Sequence, residues 1–206
     1  MSQFFRRQSP PQYNEYQKYR PFLRLDFRQL CAYCERSEFV LGGEELFEID
    51  HFRPTNRFPE LTAHYANLYY ACGKCNRHKG STWPSESQLG KGLRFADPCE
   101  EDMYLVHLRE MSDGRLEVLS VCGEYTRMHL LLDRPALVSW RRLRRQIADE
   151  LRTFNSIKER LASLLATETD VAKQREIRNE ILTIELAISR SQEGFSLVDP
   201  KDSSPS

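Results

Sequence analysis

Cys31-Ala-Tyr-Cys34 and Cys72-Gly-Lys-Cys75 are two Cys-x-x-Cys pairs at the two ends of one polar stretch of the chain. Between and after them stand Glu48-Ile-Asp50-His51-Phe-Arg53-Pro54, Asn67-Leu68 and Asn76-Arg77-His78-Lys79-Gly80. Thiolates at this spacing bind zinc tetrahedrally, and structural zinc sites are usually closed by four protein ligands. The four cysteines are therefore predicted to hold a structural zinc ion that clamps the segment between them.

The alternative for these cysteines is that they are reduced thiols scattered in a core. Four of the six cysteines fall into two matching pairs, which argues against that alternative. Cys99 and Cys122 have no such partner in the sequence, so they are predicted to be small buried hydrophobic residues.

The polar residues inside the stretch suit the hydrolysis of a phosphodiester. That reaction needs an activated water molecule and positive charge at the phosphate and the leaving oxygen. Asp50 and Asn76 offer oxygen ligands for a hard divalent ion, and a neutral imidazole at His51 can accept a proton near neutral pH. Because neighbouring residues of a strand point to opposite faces, Asp50 and His51 can act together only if the strand ends or bends there.

Bulk composition is that of an ordinary soluble protein. The chain has 206 residues, of which 40% are hydrophobic and 29% are charged, and its 30 basic side chains balance 30 acidic ones. No apolar run is long enough for a membrane span, and the N-terminus lacks the apolar stretch of a signal peptide. A cytoplasmic location is expected. In that compartment, paired cysteines indicate a metal site rather than a disulfide.

The pattern along the chain predicts an α+β protein in four parts. Residues 1–22 are expected to form an extended arm, and residues 23–134 a domain with a strand at 46–51, a helix opening after Cys72 and a β-hairpin turning at Ser112-Asp113-Gly114. A loop is expected over 83–92. Apolar residues at helical spacing predict two long antiparallel helices over 135–192, and residues 193–206 a flexible tail.

Residues 31–80 resemble an HNH endonuclease, the ββα-metal fold, in the form that carries a zinc knuckle. The resemblance implies a ββα core clamped by the four cysteines, with Asp50 as a metal ligand and His51 as the general base. It also implies that Asn67 orients the loop around His51, and that Asn76, at a position where the family often has His, completes a Mg²⁺ or Mn²⁺ site. Products with 5′-phosphate and 3′-hydroxyl ends would follow.

A wider set of phrases is similar to a bacterial subgroup of HNH nucleases found in anti-phage defence. These phrases are Cys31-Ala-Tyr-Cys34-Glu35, His51-Phe-Arg-Pro54, Phe58-Pro59 and Asn67-Leu-Tyr-Tyr70. In Septu-type systems and related retron effectors, such a nuclease works beside an ATPase. The resemblance covers about the first 135 residues and implies an ATPase partner, with the C-terminal helices as a possible docking element. Their apolar stripes otherwise indicate intramolecular packing or a homodimer.

Basic residues near the motif and at the start of the helical region are candidate nucleic-acid contacts. They are Arg53, Arg77, Lys79, Arg141 and Arg142. Lys79 could equally be a cation at a helix end, and the arginines at 141–145 could form a solvated turn or pair with nearby acids. His78 is a secondary candidate for metal or phosphate, whereas His64, His107 and His129 are expected to be structural or on the surface.

Three functions remain open from the sequence. The preferred one is a metal-dependent nuclease acting on DNA. A non-catalytic zinc-knuckle module that binds nucleic acid or protein would explain the cysteines but not Asp50, His51 and Asn76. An RNA-directed nuclease, for instance one that cuts tRNA, is the third, because nothing in the sequence reports a preference for either sugar.

Overall fold

The computed structural model describes residues 4–198 and has a mixed architecture of helices and two small sheets. It divides into two compact units, residues 1–139 and residues 140–206. Among the described residues, none of the helices combines the length and the apolar character that a membrane crossing requires.

The N-terminal segment packs into the first unit and is not a free extended arm. Phe4 is buried, and the Arg6 guanidinium donates to the backbone carbonyls of Tyr65 at 2.9 Å and Leu68 at 2.8 Å. A 3₁₀ turn at Tyr16–Tyr19 leads directly into helix α1, Arg20–Asp26, and the one-turn helix α2 spans Glu38–Leu41. The predicted arm therefore belongs to the domain, because buried Phe4 and half-buried Arg6 pack against it.

The centre of the first unit is a ββα arrangement, as the sequence predicts. Strand β1, Phe47–His51, pairs antiparallel with strand β2, Leu68–Cys72, and helix α3, Gly73–Lys79, follows β2 without a break. The register pairs Phe47 with Cys72 and His51 with Leu68, so β1 remains in the ladder to its last residue. The tight turn before β1 uses glycines at positive φ, Gly42 and Gly43.

A second layer follows β2 and α3. The interval predicted as loop contains a one-turn helix, α4, Glu86–Leu89, which a capping box at Ser85 begins. After α5, Met103–Val106, the short strands β3, Leu108–Glu110, and β4, Leu116–Val118, form the predicted hairpin. The pairing of the hairpin starts only at Leu108, and the residues just before it, Met103–Val106, are helical. Helix α6 then spans Val121–His129, with the Ser120 side chain accepting from the Gly123 N–H.

Two long helices follow, as predicted, and the first of them begins before the boundary at residue 139. Helix α7 spans Pro135–Thr167 and helix α8 spans Val171–Val198. Asp170 caps α8 by accepting from the N–H groups of Ala172 and Lys173. An ion pair of 2.7 Å between Lys158 and Glu185 joins the helices, in keeping with an antiparallel hairpin. Helix α8 continues six residues past the predicted end at 192, and the rest of the predicted tail, 199–206, lies outside the described residues.

Candidate active site

The four predicted zinc ligands form one buried cluster. Their Sγ atoms all lie within 4.8 Å of one another, and those of Cys34 and Cys72 are 3.9 Å apart. Metal–sulfur bonds of about 2.3 Å in a tetrahedron place sulfur atoms about 3.8 Å apart. The cluster could therefore receive a tetrahedral ion with little movement. The local fold makes this possible, since β2 ends at Cys72, α3 carries Cys75, and the Ala32 N–H donates to the Tyr70 carbonyl at 2.8 Å.

A cation that sequence reasoning missed touches this cluster. Arg134 donates from Nη2 to the Cys75 Sγ at 3.2 Å, and it lies far from the cysteines along the chain. Four thiolates around a divalent ion carry a net charge of about −2, so a guanidinium at this distance offsets part of a buried negative charge. Burial raises the pKa of the Cys31 thiol, whereas hydrogen bonds within the cluster lower the pKa of Cys34.

His51 ends strand β1 and is held through one ring nitrogen. Its Nε2 lies 2.9 Å from the backbone carbonyl oxygen of Thr62. A carbonyl can only accept, so Nε2 carries the hydrogen, and the neutral ring keeps its lone pair on Nδ1. The ring of Tyr16 contacts the imidazole edge-on, with 4.7 Å between centroids. The Thr62 contact could not be found from the sequence, because a backbone acceptor leaves no sequence signal, and Tyr16 lies far from His51 along the chain.

Asn67 ties together the two segments that surround His51. Its Oδ1 accepts from the Arg53 N–H at 2.8 Å, and its Nδ2 donates to the carbonyls of Arg53 at 3.0 Å and Leu61 at 3.4 Å. Arg53 follows His51 by two residues, and Leu61 precedes the carbonyl that holds the imidazole. The buried amide of Asn67 thus joins the two backbone segments that surround His51, which is what a role in orienting the loop around His51 would need.

Lys79 is not available to a phosphate, contrary to the prediction. Its side chain is fully buried at 0% exposure and forms an ion pair of 3.0 Å with Asp50, whose side chain is 4% exposed. The ammonium also donates to the His51 carbonyl at 2.7 Å. The Tyr33 hydroxyl donates to the other Asp50 oxygen, and burial raises the pKa of Tyr33 well above its usual value. Lys79 therefore fastens α3 to the end of β1.

Asp50, His51 and Asn76 line one cleft of about 410 Å³, together with Arg77. Both Asp50 and His51 line this cleft, although they are neighbouring residues of a strand and His51 still pairs with Leu68. The carboxylate of Asp50 and the amide of Asn76 are the oxygen donors that a hard divalent ion prefers, so the donor set fits such an ion. Asn76 also donates from Nδ2 to the Glu48 Oε2 at 2.6 Å. The two-residue spacing of Glu48 and Asp50 on β1 is the sequence signal that could have indicated Glu48.

The remaining residues predicted to contact nucleic acid differ in their exposure to solvent. Arg77 is exposed at the cleft, and exposed Arg53 lies over the rings of Phe58 and Trp83. Arg141 is 1% exposed, so the predicted contact with a phosphate would require its side chain to move. Arg142, in the second unit, is exposed.

Among the secondary candidates, His78 is exposed on α3. Partial burial and then the nearby charges of Arg134 and Arg77 lower its pKa. Cys122 is buried as predicted, whereas Cys99 is only half-buried, and burial raises the pKa of Cys99 to about 12.

A second group of possible ligands, Glu101, His107 and Cys122, also has its ligand atoms within 4.8 Å of one another. Both ring nitrogens of His107 are already engaged, by Ser120 at 2.6 Å and by Glu101 at 2.8 Å. Arg94 forms an ion pair with the same carboxylate. A cation would have to displace this arginine, so the group is a hydrogen-bond network, in agreement with the structural role predicted for His107.

Comparison with known proteins agrees with the geometry. The family model described as HNH endonuclease matches residues 31–82. A 67-residue segment is 31% identical to the Septu protein PtuB of Bacillus thuringiensis, and the match covers 30% of this chain and 25% of that protein. The chain thus spans about a quarter of the curated relative that it matches. No solved structure matches significantly. The segment that carries both cysteine pairs, His51 and Asn76 is an HNH endonuclease domain.

Proposed function

We propose that the protein is a metal-dependent endonuclease that hydrolyses DNA phosphodiester bonds as the nuclease of a bacterial anti-phage defence system. The observation that carries this proposal is the state of His51. Its Nε2 is held by the Thr62 carbonyl, and its ring lines a cleft with Asp50 and Asn76 inside the matched domain. A purely structural histidine would not need an oriented ring beside two oxygen donors.

In the proposed mechanism, His51 accepts a proton from the attacking water at Nδ1. The Thr62 carbonyl keeps the ring in the required tautomer and stabilises the charged imidazolium that forms. Asn67 holds the backbone on either side in place. Exposed Arg77 lies at the cleft, where it can contact a phosphate neighbouring the scissile one. Water attacks the phosphorus atom and the bond to the 3′ oxygen breaks, so the products carry a 5′-phosphate and a 3′-hydroxyl.

Asp50 and Asn76 would hold one Mg²⁺ or Mn²⁺ ion in the cleft. When bound, such an ion neutralises charge on the phosphate and on the departing 3′ oxygen. A carboxylate has about four acceptor positions. Asp50 uses one for Tyr33 and one for Lys79, so positions remain for a metal ligand bond. The four cysteines would hold a separate structural zinc ion.

The role in defence and the ATPase partner rest on the similarity to the Septu protein PtuB. The second unit supports the idea of a docking element, because large apolar side chains remain exposed on its helices. These are Leu164 on α7 and Leu182 and Leu186 on α8, each more than half exposed. We propose that the ATPase binds this helical hairpin.

The test is plasmid nicking by the zinc-loaded chain, with and without the proposed ATPase partner, in Mg²⁺ and in Mn²⁺. His51→Ala is compared with His64→Ala, which removes an exposed histidine of the same domain. The expected result is metal-dependent nicking that only His51→Ala abolishes, with zinc content unchanged. Equal nicking by wild type and His51→Ala would contradict the mechanism.

Substrate choice is tested in the same assay with duplex DNA, single-stranded DNA and tRNA. Preferential cleavage of tRNA would replace DNA by RNA as the substrate. Nucleic-acid binding without cleavage of any substrate, even with the partner present, would identify the non-catalytic module.

A further inference from the structure

The carboxylate of Glu48 lies against helix α3 at three positions, Gly73, Asn76 and Arg77. Its Oε2 accepts from the Asn76 Nδ2 at 2.6 Å, and its Oε1 lies 3.9 Å from the Arg77 Nη1. A Cβ atom at Gly73 would lie 2.8 Å from the same Oε1, so the missing side chain at Gly73 leaves the space that the carboxylate occupies. Glu48 and Asp50 stand on the same face of β1, two residues apart.

An asparagine amide has two chemically different ends. Its oxygen can bind a metal ion, whereas its NH₂ group can only donate hydrogen bonds. A rotation of about 180° about the last side-chain bond exchanges the two ends. An ionised carboxylate only accepts, so Glu48 selects the rotamer in which Nδ2 faces Glu48 and Oδ1 is turned away from it.

We propose that Glu48 is a positioning residue, which fixes the Asn76 amide so that Oδ1 is presented to the divalent ion in the cleft. The inference rests on the proposed metal-dependent nuclease and deepens it. Without Glu48, both rotamers of Asn76 become accessible and one of them presents an NH₂ group to the cation. Outer contacts of this kind typically change metal affinity by about 10- to 100-fold.

The test is a double-mutant cycle on Mn²⁺ affinity, measured by calorimetry or electron paramagnetic resonance with the zinc-loaded full chain and no nucleic acid. The variants are Glu48→Ala, Asn76→Ala and the double variant. Glu48→Ala is expected to weaken Mn²⁺ binding about tenfold. In the Asn76→Ala background the same change should have an effect of less than about twofold, since a positioning residue has nothing left to orient.

The matched control is Glu45→Ala, because Glu45 lines the same side cavity as Glu48. It removes an equal charge nearby and should leave Mn²⁺ affinity within about twofold of wild type. Gly73→Ala is the complementary variant, since its new Cβ displaces the Glu48 carboxylate while keeping the charge. It should weaken Mn²⁺ binding in the same direction as Glu48→Ala, with zinc content unchanged.

Additive effects of Glu48→Ala and Asn76→Ala would overturn the proposal, because Glu48 would then act through its own charge or as a ligand. Unchanged affinity in Glu48→Ala would overturn it as well, while the nuclease proposal would stand. A wild-type chain that binds no Mn²⁺ and cuts nothing would overturn both, and so the two failures are distinguishable.

Discussion

Replacing Lys79 by methionine should destabilise the first unit strongly and leave DNA contacts intact. The pair between Lys79 and Asp50 is shielded from water, with side-chain exposures of 0% and 4%. Removing one partner of a buried ion pair leaves an uncompensated charge and costs about 3 to 5 kcal/mol. The lost bond to the His51 carbonyl contributes about 1 to 3 kcal/mol of that cost.

Urea unfolding at saturating zinc measures this cost. Trp83 packs against Phe52 and Phe58 in the first unit, so its fluorescence, in a Trp140→Phe background shared by all variants, reports on that unit. Adding Asp50→Asn to Lys79→Met removes the buried charge and should recover roughly 2 kcal/mol, the part of the cost that is not due to the lost carbonyl contact.

DNA binding provides the contrasting measurement. Each phosphate contact contributes about 0.9 to the slope of log affinity against log salt for duplex DNA. Lys79→Met, at temperatures where it is folded, should keep the wild-type slope, whereas Arg77→Ala should lower it. A destabilisation below about 1 kcal/mol, together with a lowered salt slope in Lys79→Met, would refute the buried-pair reasoning and restore the phosphate contact that the sequence predicts.

Three further expectations concern other buried contacts. Asn67→Ala leaves backbone donors and acceptors unsatisfied and should cost roughly 2 to 4 kcal/mol in urea unfolding, with a lower kcat in nicking. Burial would raise the pKa of Glu101, but hydrogen bonds from Arg94 and His107 outweigh it and lower the pKa from 4.5 to about 2. Its stabilising contribution is therefore present above pH 4.5 and lost as the pH falls towards 2, and Glu101→Gln should flatten acid unfolding in that window. Arg134→Ala should speed the loss of zinc to a colorimetric chelator by about tenfold, and an unchanged rate would show that its contact with the cluster is unimportant.

The spacing of residues along the chain predicted much of the fold. Two Cys-x-x-Cys pairs predicted the buried cluster, the alternation before Pro54 predicted β1, and helical periodicity after residue 135 predicted the two long helices. Each of these features depends on residues that are close together in the chain. The Cys-x-x-Cys spacing is also specific enough to predict that two segments distant in sequence share one metal site. The same reasoning selected His51 and Asn76 as candidates.

Tertiary packing, and not the local sequence, decided which basic side chains are buried. A lysine next to a glycine at a helix end looks the same whether it faces a phosphate or a buried aspartate. The sequence therefore did not show that Lys79 and Arg141 would both be buried. In the same way, nothing in the local sequence indicated that Arg6 would donate hydrogen bonds to the backbone carbonyls of Tyr65 and Leu68.

For this protein, the sequence by itself determined which chemical groups are present and which short segments carry them. Only the tertiary structure decided how those groups are held, through the Thr62 carbonyl on His51, Glu48 on Asn76 and Arg134 on Cys75. The physical reason is that these contacts join backbone atoms or side chains distant in sequence. Their hydrogen bonds exist only after β1, β2 and α3 have packed together.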